Sequence, residues 1–173
     1  MSIINIKLMT EIIGFSNYTI NDKGEVYNKR GRLMKQWLNH GYFNTHLVRD
    51  DGIQKYLLVH RLIYQAFKLK TGEIMPEQID HINNIRTDNS LENLRSCTRQ
   101  ENQRNMKTPR TNKSTRCKNI CKDKSSFRVR ITVGKGTTYS KTFKTLEEAI
   151  AHRGIKLKEF HGKFANNGNS III

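Results

Sequence analysis

Acidic residues are scarce in this chain. Its 173 residues include 15 Asp and Glu against 31 Lys and Arg, a formal net charge of +16. Charge of that size opposes compaction and favours a polyanionic partner, so nucleic acid comes first and an anionic membrane surface second. Long apolar runs are also missing. Nothing approaches the ~18 residues that a spanning helix needs. The cations are spread along the whole chain instead of lining one amphipathic helix, so no membrane partner is expected. The segment Met1 to Met9 is apolar only in patches and has no small-residue cleavage site, so no signal peptide is expected. Cysteine is limited to Cys97, Cys117 and Cys121, an odd number without secretory context, most simply reduced thiols in a cytosolic protein. Paired C-x-x-C spacing is absent, and no zinc is expected.

What is present begins with β-structure. Over residues 10–58, Tyr18-Thr19-Ile20, Glu25-Val26-Tyr27, Leu33 to Leu38, Tyr42 to Val48 and Gln54 to Val59 are separated by turns containing Gly24, Gly31 and Gly52. Short strands between such turns predict an antiparallel meander. Lys29, Arg30, Arg32 and Lys35 either touch phosphates or form a solvated basic turn. From His60, apolar residues at 62, 63, 66 and 67 make the stripe of an amphipathic helix. His60 itself either closes an element end by a hydrogen bond or supports a nearby site.

The most informative stretch runs from Asp80 to Asn102. Gln78-Ile79-Asp80-His81 reads as a strand, a polar loop follows, and Leu94-Arg95-Ser96-Cys97 reads as the return strand. Thr98 with Glu101 three residues on is a capping box, which puts Asn102 in the first turn of a helix. This β-hairpin plus helix, with Asp80, His81, Asn93 and Asn102 converging, resembles the HNH nucleases, in the branch whose third motif residue is Asn. The preceding Tyr-x-Ile-Asn-x-x-Gly-Glu-Val-Tyr pattern resembles modules found ahead of HNH domains in homing endonucleases. His60-Arg61-Leu62 resembles the helix that precedes the hairpin in phage relatives.

The chemistry suits these residue types. Hydrolysing a phosphodiester requires a deprotonated water, neutralisation of the phosphoryl charge and stabilisation of the leaving oxygen, and one imidazole with one divalent metal supplies all three. His81 is the expected general base, since an imidazole of ordinary pKa, ~6.5, is neutral near pH 7 to 8. Asp80 and Asn102 are the expected ligands of one Mg²⁺ or Mn²⁺, their hard oxygens leaving room for water and phosphate. Asn93 is expected to accept from the second nitrogen of His81 and so fix its tautomer. Adjacent strand residues face opposite ways, so the hairpin is expected to twist or bulge at Asp80–His81. Arg95 either braces the phosphate or pairs with a nearby acid such as Glu92.

Beyond the helix the composition changes. Arg99, Arg104, Lys107, Arg110, Lys113 and Arg116 occur among Asn, Thr and Pro109 with almost no apolar residues. Such a segment buries too little to fold alone, and its spaced cations suit a DNA backbone or groove. A second folding unit follows. Phe127, Val129, Ile131 and Val133 alternate with Arg128, Arg130 and Thr132, as in a half-buried strand with a cationic outer face. Thr138 to Phe143 makes the next strand, and Thr145 to Glu148 is another capping box, opening a helix whose inner side carries Leu146, Ala149, Ile150, Leu157 and Phe160. The order resembles the APETALA/ethylene-response-factor DNA-binding domain, which also ends phage HNH nucleases. That resemblance implies a sheet in the major groove, with Arg128 and Arg130 as base or phosphate contacts and Lys118, Lys122 and Tyr139 beside them.

The expected fold is therefore α+β. A β-rich module spans 1–58, the ββα-metal unit 59–108, a basic linker 109–116, a three-stranded sheet with one helix 117–166, and a tail 167–173. The resemblance implies a monomeric homing-type endonuclease, phage- or intron-encoded and working in the bacterial host cytoplasm. It would nick double-stranded DNA and leave 5′-phosphate and 3′-hydroxyl ends. The alternative is a DNA-binding regulator without catalysis. No stacking-aromatic motif supports RNA binding.

Overall fold

The computed structural model describes residues 8–106, 114–134 and 136–168. Lys107, Arg110 and Lys113, most of the expected linker and the end of the expected tail lie outside these residues. Two compact units result, one ending at Thr98 and one beginning at Arg99.

In the first unit the N-terminal strands form two antiparallel sheets in place of one meander. Strands β1 (Met9–Ile12), β2 (Phe15–Asn21) and β3 (Val26–Asn28) pair in that order, as do β4 (Gln36–Asn39), β5 (Tyr42–Val48) and β6 (Gln54–Leu58). Strand β1 is an addition to the expected set. The strand expected from Leu33 starts only at Gln36, and Leu33 keeps a single bridge to Tyr27. The β2–β3 turn is built on Asn21, whose Oδ1 accepts from the amides of Lys23 (3.1 Å) and Glu25 (2.9 Å), with Gly24 at φ +88°. Few residues other than glycine adopt that φ without strain.

Helix α1 (Val59–Ile63) continues through a π-helical turn, Tyr64–Lys68, and a 3₁₀ turn, Leu69–Thr71, to Gly72 in the left-handed region. The wider π turn departs from simple helical periodicity, so that Leu62, Ile63, Tyr64 and Ala66 are all buried. Strands β7 (Gln78–His81) and β8 (Leu94–Cys97) pair antiparallel without a register shift. One core joins Ile12, Phe15, Ile20, Val26, Leu47, Leu62, Ile63 and Tyr64 to Ile79 and Leu94 of this hairpin. The boundary expected at 58/59 is therefore not a packing boundary, because neither the N-terminal sheets nor the hairpin buries its apolar face alone.

In the second unit, α2 (Arg99–Asn105) starts directly after Thr98, as the sequence predicts. Strands β9 (Ile120–Asp123), β10 (Ser126–Gly134) and β11 (Thr137–Phe143) form a sheet in the order β11-β10-β9, and α3 (Leu146–His161) covers it. Cys117, Ile120, Val129, Ile131, Ala149 and Leu157 make its core. The capping box at Thr145 and Glu148 forms in both directions. Arg153, on the inner face of α3 and 1% exposed, donates to the carbonyl of Lys118 at 3.0 Å. No helix among the described residues is long and apolar enough to cross a membrane.

Candidate active site

The β7–β8 hairpin holds two of the expected site residues on opposite faces. Asp80 lies opposite Arg95 in register and His81 opposite Leu94. Strand alternation therefore separates the acid from the imidazole, and the uninterrupted register shows that no bulge is involved. Both residues are 5% exposed.

On one face, Asp80 Oδ2 accepts from Arg95 Nε at 2.8 Å and from its terminal nitrogen at 2.6 Å. Asp80 is thus an acid partner of Arg95, because cross-strand neighbours share a face. A buried carboxylate held this way keeps its charge compensated and its direction fixed.

On the other face, His81 Nε2 lies 3.2 Å from Asn89 Oδ1. An amide oxygen only accepts, so Nε2 carries the proton and Nδ1 the lone pair. Asn89 is 4% exposed and takes the tautomer-fixing place expected for Asn93. The Asn93 side chain is used differently: its Oδ1 accepts from the Asn83 amide at 3.0 Å and its Nδ2 donates to the Asp88 carbonyl at 2.8 Å. Asn93 also receives the Ile82 amide on its own carbonyl at 2.9 Å. It therefore braces the loop that carries Asn89. Asp88 completes the brace, with Oδ1 accepting from the Ser90 hydroxyl at 2.6 Å and Oδ2 from Asn83 Nδ2 at 2.6 Å. The Ser90 hydroxyl is the chief cause holding the Asp88 carboxyl below its ordinary range.

Three further groups surround His81. The His60 ring, from the start of α1, is 5.3 Å from it edge-on, and the Tyr42 ring, from β5, is 6.0 Å away. Tyr42 is also 5.2 Å from His60, and the Arg86 guanidinium sits 5.0 Å above the Tyr42 ring. Burial pushes His60 down to about 4, with the charges of His81 and Arg61 adding to it. Burial also lowers His81, opposed by Asn89, Asp80 and Asp88 and reinforced by Arg86. An imidazole kept neutral, with one nitrogen protonated and anchored, suits proton abstraction near neutral pH. His60 thus joins the surroundings of His81. Tyr42, Arg86 and Asn89 were not singled out from the sequence, where they read as strand and polar-loop residues.

The remaining expected residues are distributed through the second unit. Asn102 lies half-buried on α2. Arg104 donates to the Val133 carbonyl at 2.8 Å, and Lys118 Nζ donates to the carbonyls of Arg104 and, at 2.6 Å, Met106. Burial, with Arg153 nearby, pushes Lys118 down to about 8. Both cations are therefore drawn into the unit's own frame. Tyr139 also turns inward: its hydroxyl meets His152 Nε2 at 2.6 Å and its ring packs 5.4 Å from Phe160. The cause is register, since Tyr139 pairs with core residue Ile131. Arg99, Arg116, Lys122, Arg128 and Arg130 are exposed, and Arg128 pairs with Asp123.

In chain order, a strand–loop–strand hairpin with an Asp-His pair ending its first strand is followed by a helix. Residues 57–104 match the family described as HNH endonuclease. An uncharacterized HNH endonuclease, L247, of Acanthamoeba polyphaga mimivirus is 30% identical over 92 residues, which are 53% of this chain and 23% of that protein. The chain thus spans less than a quarter of the length of that relative. The solved structure of the HNH homing endonuclease I-HmuI, described for DNA binding and cleavage, aligns with a TM-score of 0.50 at 21% identity. The alignment covers 88% of this chain and 90% of that one, a likeness of fold.

Proposed function

We propose that the protein is a DNA endonuclease of the homing type, hydrolysing phosphodiester bonds with His81 as general base and one Mg²⁺ or Mn²⁺. The observation that carries this is the pairing of a buried, Asn89-anchored His81 with a buried, Arg95-held Asp80 on one hairpin, in a segment that matches the HNH family. The donor set fits a hard divalent ion. Asp80 offers a carboxylate already fixed in direction. Mg²⁺ often takes only one or two protein carboxylates with water and phosphate oxygens. Asp80 would hold the ion, with Asn102 as the second ligand on the strength of its motif position. When bound, such an ion supplies Lewis-acid stabilisation of the phosphoryl group and of the leaving oxygen.

The chain's own residues do the rest. Asn89 keeps the His81 proton on Nε2, so Nδ1 takes the proton of the attacking water. Burial beside His60 and Tyr42 keeps that imidazole neutral before the step. Arg95 holds Asp80 so that the carboxylate does not have to reorganise. Exposed Arg99, Arg116, Lys122, Arg128 and Arg130, with Lys107, Arg110 and Lys113, contribute phosphate neutralisation along the duplex. In the second unit the APETALA-type role is given to the outer sheet face, where Arg128 and Arg130 are exposed. A monomer with one such site nicks one strand. The setting that goes with this is the cytoplasm of a bacterial host and a phage or intron gene.

The test starts from DNA selected from random sequence by binding to the protein. Supercoiled plasmid carrying the selected site is incubated with protein and Mg²⁺. Open circles that DNA ligase reseals are expected, since resealing requires 5′-phosphate and 3′-hydroxyl ends. Tight binding that leaves the plasmid supercoiled would instead establish a DNA-binding regulator.

A further inference from the structure

Arg86 has so far entered only as a charge that helps lower His81, yet its position is closely specified. It is the second residue of the turn Ile85–Asp88, closed by the Asp88 amide on the Ile85 carbonyl at 3.0 Å. The turn is pinned on both sides, by the Ile85 amide on Asn83 Oδ1 at 2.8 Å and by Asp88 in its contacts with Asn83 and Ser90. The side chain crosses the β4–β5 turn, where a Cβ placed on Gly41 would lie 3.8 Å from Arg86 Cδ. Its guanidinium ends 5.0 Å above the Tyr42 ring, the ring that also flanks His81.

Lys141, Lys156 and Lys163 also lie over aromatic rings, but Arg86 alone among these cations lies over a ring that flanks His81. Among the described residues, Arg49, Arg95 and Arg128 each pair with an aspartate. Arg86 is exposed and appears in no ion pair, and the oxygens of Asp88, two residues away, are engaged by Ser90 and Asn83. An aromatic face orients a guanidinium through its π cloud while leaving the N–H edge open. That edge is a planar fork suited to two phosphate oxygens.

We propose that Arg86, seated on Tyr42, is a backbone contact that clamps a DNA phosphate beside the bond on which His81 acts. The choice of DNA rests on the function proposed above. The clamp fixes the phosphate relative to Tyr42, and through it relative to His81, so it governs both binding and alignment for attack.

The test uses the full-length protein and a duplex recovered by selection. Affinity is measured without Mg²⁺ over a salt series, and single-turnover nicking with Mg²⁺. Arg86→Ala is expected to lower the slope of log affinity against log salt by about 0.9, one phosphate's share, and to slow nicking at least tenfold. Arg86→Lys is expected to keep the slope but not the nicking rate, because an ammonium cannot form the fork. Tyr42→Leu is expected to move the slope toward that of Arg86→Ala. An unchanged slope in Arg86→Ala overturns the inference whatever its nicking rate. If the wild type binds but never nicks while Arg86→Ala still lowers the slope, the nuclease function fails and the phosphate contact stands.

Discussion

Gly24→Ala is expected to damage the active site from beneath. Gly24 lies in the β2–β3 turn, and a Cβ there would meet Val59 Cγ1 at 3.0 Å, Asn89 Cβ at 3.1 Å and Ile63 Cδ1 at 3.1 Å. All three neighbours are buried, so none can swing into solvent. The residue also holds φ +88°, and left-handed backbone costs a non-glycine residue roughly 1–2 kcal/mol. Overpacking a well-filled core costs roughly 1–3 kcal/mol more. Together about 2–5 kcal/mol of stability should be lost, which urea unfolding followed by intrinsic fluorescence will measure. The second effect concerns function. The neighbour carrying a polar side chain is Asn89, whose Oδ1 anchors His81 Nε2. Displacing its Cβ by a few tenths of an ångström lengthens that contact, so nicking should fall by more than tenfold at temperatures where the variant is still folded. Stability within about 0.5 kcal/mol of wild type, the usual range for inconsequential surface changes, together with an unchanged nicking rate would refute this account of the turn and of Asn89.

Removing the guanidinium in Arg95→Ala leaves Asp80 buried without its counter-charge, at a cost of about 3 kcal/mol. Urea titration should show a larger loss than for Asp80→Asn, where the remaining group is neutral. Acid should destabilise the first unit through His60. Its folded value of about 4 lies below the ordinary 6.5, so its contribution is complete above pH 6.5 and is lost as the unfolded chain alone takes up the proton on acidification. Since half of the unfolded chains already carry the proton at pH 6.5, the slope reaches its limit of ~1.4 kcal/mol per pH unit only below that, and lowering the pH from 6.5 to 5 should cost about 1.6 kcal/mol. His60→Gln should reduce that dependence in denaturant curves measured at both pH values, leaving the share of His81, which burial shifts the same way. With a neutral amide as the proposed second ligand, Mg²⁺ should bind the DNA-free protein only in the millimolar range, and micromolar affinity by calorimetry would contradict the ligand assignment.

The parts of the fold with strong local signals were legible in the sequence. The alternation from Phe127 to Val133, the capping box at Thr145 and the glycine-punctuated strands each carry their cause within a few residues, and these elements form, the strand expected from Leu33 starting only at Gln36. Sheet partition was less legible, because whether six short strands make one meander or two sheets depends on shared core contacts such as those of Leu47 and Ile63. Asp80 and His81 were readable because an acid and an imidazole closing an apolar strand are chemically conspicuous. Asn89 was not, since it lies among Asn83, Asn84 and Asn93, and sequence does not say which amide turns inward. Backbone geometry decides that: Asn84 adopts φ +59° and Asn93 is consumed in bracing. The inward turn of Tyr139 was not legible because its strand, Thr137–Phe143, is mostly polar and gives no clear alternation. For Arg95 the sequence leaves open a phosphate or a nearby acid such as Glu92, whereas strand register brings Asp80 to it from 15 residues away.

The central claim is that His81 abstracts the proton of the attacking water. Its most direct measurement is the single-turnover nicking rate of His81→Ala against wild type, in preformed complexes on the selected duplex started with Mg²⁺. Loss of a positioned general base should slow nicking by roughly 10²–10⁴-fold with DNA affinity unchanged. Nicking by His81→Ala at the wild-type rate would contradict the assignment.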